Sequence, residues 1–163
     1  MIDPIDDTPR FVSWYTPDET GGSLMADTVA PEKRSEIMAR IHAKNTKPEL
    51  IVRRFLFRKG FRFRLFDKRL PGSPDIVLPK YRTVIFVNGC FWHGHDCRLS
   101  VQPKSNMQFW QTKIQRNKER DLRNRIRLES LGWRVMVVWE CELRTKELRE
   151  DTLEGLINEI WEI

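Results

Sequence analysis

The chain has 163 residues, a formal net charge of +6 and a pI near 9.5. That is one domain's worth of chain, long enough to bury a core. The basic excess points first to nucleic acid and second to an anionic membrane surface, though a basic protein with no such partner fits it too. No window approaches the roughly 18 apolar residues of a membrane helix. The acidic start, Met1-Ile2-Asp3-Pro4-Ile5-Asp6-Asp7, lacks the basic-then-apolar order of a secretion signal. Three Cys argue against a disulfide framework, so a cytoplasmic protein is expected whose Cys bind metal or are simply buried.

Residues 1–30 contain Pro4, Pro9, Pro17, Gly21 and Gly22 and no sustained period, which predicts a flexible N-terminal arm. Met25 offers an internal start. Residues 31–163 are expected to form the domain. Ile37, Met38 and Ile41 predict a first helix. Thr46-Lys47-Pro48-Glu49 predicts the start of a second, with Thr46 as N-cap and Glu49 at the capping-box position, ended by Gly60. Phe61 to Phe66 alternates apolar and basic residues, the pattern of a half-buried strand. After the turn Leu70-Pro71-Gly72-Ser73-Pro74, Asp75 to Pro79 reads as a short buried strand, and Thr83 to Val87 as its neighbour. Ser105 to Gln108 reads as a capping box before a long basic helix at about 107–131. Trp133 to Trp139 is a third buried strand. Leu153, Leu156, Ile157 and Ile160 mark a last helix at about 150–161. Helices flanking a short central sheet give an α/β class.

The stretch Val87 to Cys97 is the densest in chemistry, with two of the chain's three Cys and two of its three His. Cys90, His95 and Cys97, joined by Cys141 from the end of the third strand, form a donor set suited to tetrahedral Zn²⁺. The competing reading is that the Cys are small buried hydrophobes. His93 is either an alternative ligand or, with the set complete without it, free for acid–base work. Asp75, at the start of a strand expected to pair with 83–87, is placed to bind a hard cation such as Mg²⁺, or is a turn residue. Glu49 is either an acid reaching the same place or only a cap. Phe91-Trp92 and Phe109-Trp110 bracket the loop, as core or as wedges and stacking surfaces for bases. The basic residues of the long helix suit phosphates or a solvated face.

Leu70-Pro71-Gly72-Ser73-Pro74-Asp75, Val84-Ile85-Phe86-Val87-Asn88-Gly89-Cys90-Phe91-Trp92-His93-Gly94-His95-Asp96-Cys97, Phe109-Trp110, Asn117-Lys118-Glu119-Arg120-Asp121 and Leu131-Gly132-Trp133-Arg134-Val135 through Trp139-Glu140-Cys141 together resemble the very-short-patch mismatch-repair endonucleases. Arg34 to Met38 and Glu49 fit as well. The resemblance covers about residues 30–160. It implies a restriction-endonuclease-like fold, a central mixed sheet flanked by helices with a structural zinc site. It implies Mg²⁺-dependent nicking of double-stranded DNA 5′ to the T of a T·G mismatch produced by deamination of 5-methylcytosine.

By the same resemblance, Asp75 and the Val87 carbonyl hold Mg²⁺, and His93 is the catalytic histidine. Glu49 is an auxiliary acid, and Asn88 stands where the best-known members carry a second active-site histidine. Cys90, His95, Cys97 and Cys141 hold Zn²⁺, and Phe91, Trp92 and Trp110 insert into DNA. Lys113, Arg116, Asn117 and Arg120 are expected to contact DNA as well. The implied setting is a monomer in a bacterial cytoplasm, on the nucleoid when DNA-bound, with a functional link to a cytosine-5 DNA methyltransferase and mismatch-repair proteins. Two rival readings are a sequence-specific endonuclease without mismatch preference and a non-catalytic zinc DNA-binding module.

Overall fold

The computed structural model describes residues 44–101, 103–104 and 106–162. The expected arm, the helix around Ile37 to Ile41 and Ser105 lie outside these. Helix α1 is Lys47–Arg58, and it begins as its sequence requires. The Thr46 hydroxyl accepts from the Glu49 N–H, with Pro48 in the first turn. It ends in a Schellman motif: Phe61 N–H donates to Leu56 O and Gly60 N–H to Phe57 O, both at 3.0 Å, with Gly60 at φ +89°.

Strand β1 is only Arg64–Leu65, a correction to the six-residue strand that the alternation suggests. Phe66 turns to φ +49° and breaks the pairing on one side. On the other, Phe61 is drawn under the rings of Tyr81 and Trp161 instead of into the ladder. Strand β2, Ile76–Leu78, is buried throughout. A 3₁₀ turn at Pro79–Tyr81 leads into β3, Thr83–Asn88.

Helix α2 runs from Met107 to Ser130. Asn106 is its N-cap residue, at φ +52° and with no side-chain cap hydrogen bond; the expected capping box rests on Ser105, outside the described residues. A second Schellman motif ends it, with Trp133 N–H on Leu128 O and Gly132 N–H on Glu129 O. Strand β4 is Arg134–Trp139, a 3₁₀ turn covers Glu140–Leu143, and helix α3 is Lys146–Trp161. Helix α3 starts before the expected residue 150 because the Thr145 hydroxyl caps the Leu148 N–H.

The sheet order is β1-β2-β3-β4, with β1-β2 and β2-β3 antiparallel and β3-β4 parallel. Helix α2 is the crossover that a parallel pair needs. The strict alternation of side chains then builds two cores. Ile76, Leu78, Ile85, Met136 and Val138 pack with α1 and α3 on one face. Val77 and Val84 pack with Leu128 of α2 on the other, helped by Phe86, Trp133 and Val135. The second core is thinner, so β4 is half-buried in alternation and not buried throughout as expected. Among the described residues no helix is long and apolar enough to cross a membrane.

This topology fixes where chemistry can gather. Strands β3 and β4 run the same way and end side by side, Asn88 opposite Trp139. Strand β2 runs against them, so its first residues lie at that same end. Asp75, the Val87–Cys97 loop and the Glu140–Cys141 turn therefore meet there.

Candidate functional site

Asp75 precedes β2 and stays beside β3 through one bond: its Oδ2 accepts from the Val87 N–H at 2.8 Å. Burial pushes its carboxyl up to about 6, and the charge of Glu49 adds to that. The Val87 bond, Arg53 and His93 pull the other way. A carboxylate held in this state gains from a nearby cation.

Glu49 is no ordinary cap. It is 3% exposed, and its carboxylate accepts from the Thr46 hydroxyl at 2.9 Å and the Asn45 N–H at 3.0 Å. It is also paired with Arg53, itself only 7% exposed. Arg53 reaches Asn45 Oδ1 at 2.6 Å and lies over the Phe66 ring at 4.7 Å. The capping reading of Glu49 is what these bonds show, and its charge also acts to raise the Asp75 carboxyl.

His93 lies on the loop, and its Nδ1 is 2.5 Å from Asp121 Oδ2, while Arg120 Nη2 donates to Asp121 Oδ1 at 3.3 Å. Burial acts to raise the Asp121 carboxyl, but His93 and Arg120 outweigh it and hold the group below the usual range. Asp121 therefore orients the imidazole through Nδ1 and leaves Nε2 as the nitrogen not engaged by this contact. Two more contacts seat the loop on α2. Asn117, expected on the DNA face, donates its Nδ2 to the Trp92 carbonyl at 2.8 Å. Gly94, at φ +59°, crosses so near the helix that a Cβ would stand 2.4 Å from Lys118 Cε and 2.6 Å from Ile114 Cγ2.

Cys90, His95, Cys97 and Cys141 converge, with one donor atom from each lying within 4.8 Å of the others. Four donors around one Zn²⁺ stand about 3.8 Å apart at Zn–S lengths of about 2.3 Å, so the cluster fits a tetrahedral ion after small side-chain adjustment. Cys90 is fully buried, His95 Nδ1 is 3.4 Å from Cys141 Sγ, and the His95 ring stacks on Trp139 at 4.1 Å and 6°. Burial pushes the Cys90 and Cys141 thiols up, with the neighbouring thiol Cys97 acting the same way. Only a cation makes thiolates favourable in such a place. The donor set thus suits a metal such as zinc, and His93 is not part of it.

Phe91, Trp92 and Trp110 pack edge to face, with centroids 5.1–6.0 Å apart. The Lys113 ammonium sits 5.2 Å from the Trp92 centroid, 5.7 Å from that of Phe109 and 5.4 Å from that of Trp110. The rings are half-buried, and Phe109 is 57% exposed. Arg116 and Arg120 are exposed along the same helix. Asn88 ends β3 opposite Trp139.

Two residues of the site carried no role at the sequence level. Asp121 is one, although its signal was there: Ile114, Asn117, Asp121, Asn124 and Leu128 follow helical spacing, so a carboxylate occupies the inward stripe. Arg53 is the other, four residues from Glu49 and between the buried Val52 and Leu56.

The model of the family described as "DNA mismatch endonuclease Vsr" matches residues 26–99, which include Glu49, Asp75 and the loop. The type II nicking enzyme V.NmeAIP of Neisseria meningitidis serogroup A is 53% identical over 136 residues, 83% of this chain and 97% of that protein. The type II nicking enzyme V.XorIIP of Xanthomonas oryzae pv. oryzae is 48% identical, over 82% of this chain and 98% of that protein. The DNA mismatch endonuclease Vsr of Escherichia coli is 46% identical over 127 residues, 78% of this chain and 81% of that protein. Identity of this order, over a span that includes the acid, the loop and the helix that holds His93, makes the chain a member of the DNA mismatch endonuclease Vsr family.

Proposed function

We propose that this protein nicks one strand of duplex DNA by Mg²⁺-dependent phosphodiester hydrolysis, 5′ to the thymine of a T·G mismatch left by deamination of 5-methylcytosine. One observation carries the reading: a buried carboxylate, a carboxylate-held imidazole and a half-exposed aromatic cluster share one end of the sheet. The relatives named as a mismatch endonuclease and as type II nicking enzymes support it. The fold reading that goes with it is restriction-endonuclease-like, supported by the mixed sheet between helices.

Asp75 and the Val87 carbonyl would hold the Mg²⁺. The Val87 N–H faces Asp75, and in a strand the C=O of a residue lies on the same side as its N–H. When bound, the ion neutralises phosphate charge and acidifies a water. His93 takes the proton of the attacking water, and Asp121 keeps the ring aligned. The water oxygen bonds to phosphorus, one P–O ester bond breaks, and the departing oxygen takes a proton from solvent. Glu49, held by Arg53, orients water beside Asp75. Asn88 offers an amide at the edge of the site.

Phe91, Trp92 and Trp110 insert beside the mismatch, where stacking on a base contributes about 1–3 kcal/mol. Lys113, Arg116 and Arg120 follow phosphates, and Asn117 serves by holding the loop. Cys90, His95, Cys97 and Cys141 would hold Zn²⁺, which when bound ties the loop to the end of β4. We place the enzyme in the bacterial cytoplasm as a monomer, acting downstream of a cytosine-5 DNA methyltransferase and alongside mismatch-repair proteins.

The names of the type II nicking relatives favour one rival, cleavage at a sequence without mismatch preference. A panel of matched and mismatched duplexes in several contexts, with and without Mg²⁺, separates the two. A single nick on the thymine strand of T·G duplexes alone is the expected result. Equal cutting of matched duplexes selects the rival, and no cutting of any duplex sinks both.

A further inference from the structure

The other end of the sheet carries a concave surface that the proposed nicking reaction does not use. A cavity of about 340 Å³ opens between β1, the 67–70 loop and the start of β4. Its floor is apolar, formed by Leu70, Val77 and Trp133. Its rim is basic: Arg64, Arg69 and Arg82 stand against a single carboxylate, Asp67.

Two of these guanidiniums are already fixed in place. Arg69 donates to Asp67 Oδ1 at 2.8 Å and to Oδ2 at 2.6 Å. Arg82 donates Nη2 to Leu131 O at 2.7 Å and lies over the Trp133 ring at 5.0 Å. Each keeps further N–H groups unused by these bonds. Arg64 makes no side-chain hydrogen bond or ion pair with the described residues. Guanidiniums held in position lose little freedom on meeting a carboxylate, which favours binding.

We propose that this cavity is a docking site for an acidic peptide segment of a partner protein, one apolar side chain entering the floor while flanking carboxylates pair with Arg64, Arg69 and Arg82. Charge complementarity selects an acidic ligand, and the floor selects a peptide over a nucleic acid. A duplex backbone has phosphates for the rim but no apolar group to bury against Leu70 and Trp133. Position agrees. Strand β3 separates the cavity from the catalytic loop by its six residues, about 17 Å. A peptide seated here leaves the DNA face free, so enzyme bound at a mismatch can hold its partner at the same time.

The test uses the full chain and a labelled peptide with one Phe among Asp and Glu residues, followed by fluorescence anisotropy. Controls are the same peptide with amides for the acids and with Ser for Phe. The acidic Phe peptide should bind, and each control should bind at least tenfold more weakly. Arg64→Glu should weaken the peptide at least tenfold, with unchanged melting temperature and unchanged duplex nicking, and the Arg64→Glu, Arg69→Glu pair should weaken it further. Arg64 is exposed and its side chain bonds to none of the described residues, so the fold survives the single change. Equal binding of the amide control, or indifference to charge reversal, overturns the proposal. Equal loss of duplex affinity in the Arg64→Glu protein makes the cavity a DNA contact and overturns it too. Peptide binding reads this end of the sheet and nicking the other, so failure of one leaves the other standing.

Discussion

At the scale of single residues, the site is a set of charges that would not choose each other's company without a purpose. Burial pushes the Asp75 carboxyl up to about 6 in the folded chain, against 3.8 for the ordinary group. A group with a raised carboxyl pKa costs stability once ionised, so the cost is absent below about pH 4, grows between 4 and 6, and is complete above 6. At roughly 1.4 kcal/mol per pKa unit that is about 3 kcal/mol. Asp75→Asn should therefore stabilise the metal-free protein at pH 7.5 by a few kcal/mol, as seen in urea melts, and the gain should vanish at pH 3.5. The same change should abolish nicking. A variant no more stable at pH 7.5 than the original would show that the burial cost is relieved some other way. The protonation that relieves the cost also removes the proposed Mg²⁺ ligand. Mg²⁺ affinity measured by calorimetry should therefore drop as pH falls through 6.

His93 and Asp121 make a second residue-scale argument. General acid–base catalysis contributes about 10²–10⁴ in rate, and the histidine can supply this only while its ring is aligned. His93→Gln should lose that factor in kcat. Asp121→Asn should lose a smaller one, roughly tenfold to a hundredfold, with DNA affinity little changed. A loss in affinity equal to the loss in kcat would make Asp121 a structural tie of α2 and nothing more.

At the scale of elements, the loop from Gly89 to Cys97 has almost no core and depends on three anchors. These are the four-donor cluster, the Asn117 bond and the Gly94 crossing over α2. With zinc held at the cluster as proposed, removing a donor should release the ion and free the loop together. Cys141→Ser should drop zinc content from one equivalent to well below half and lower the melting temperature. Chelator treatment of the parent should do the same, and zinc retained at full stoichiometry would exclude the cluster as the site. How legible such elements were depends on how local their signals are. The two glycine-ended helices and strands β2 and β3 were readable because Thr46, Gly60, Gly132 and unbroken apolar runs act within a turn or two. The 61–66 alternation misled because pairing was decided elsewhere, by Phe66 in a left-handed backbone and by Phe61 under Tyr81. Cys141 was found despite lying far along the chain because two strand ends each carried a Cys. The tie between Asp121 and His93, 28 residues apart, becomes visible only once α2 lies across the sheet.

At the scale of the whole molecule, two sets of cations among the described residues stand at opposite ends of the sheet. Lys113, Arg116 and Arg120 belong to the aromatic end, while Arg64, Arg69 and Arg82 belong to the cavity. Net charge alone predicted a polyanionic partner but could not say that the cations form separate sets. Counterion release distinguishes them. Each phosphate neutralised adds about −0.9 to the slope of log affinity against log salt for a duplex. Arg116→Ala and Arg120→Ala should each lower the slope by about 1 and weaken matched and mismatched duplexes alike, because a phosphate contact carries no sequence information. Trp92→Ala should leave the slope unchanged and reduce the preference for the mismatch, because stacking releases no counterions. Duplex titrations at several salt concentrations give both quantities at once. A Trp92→Ala protein with a shallower slope and an intact preference would mean that the ring positions Lys113 over a phosphate instead of reading the mismatch.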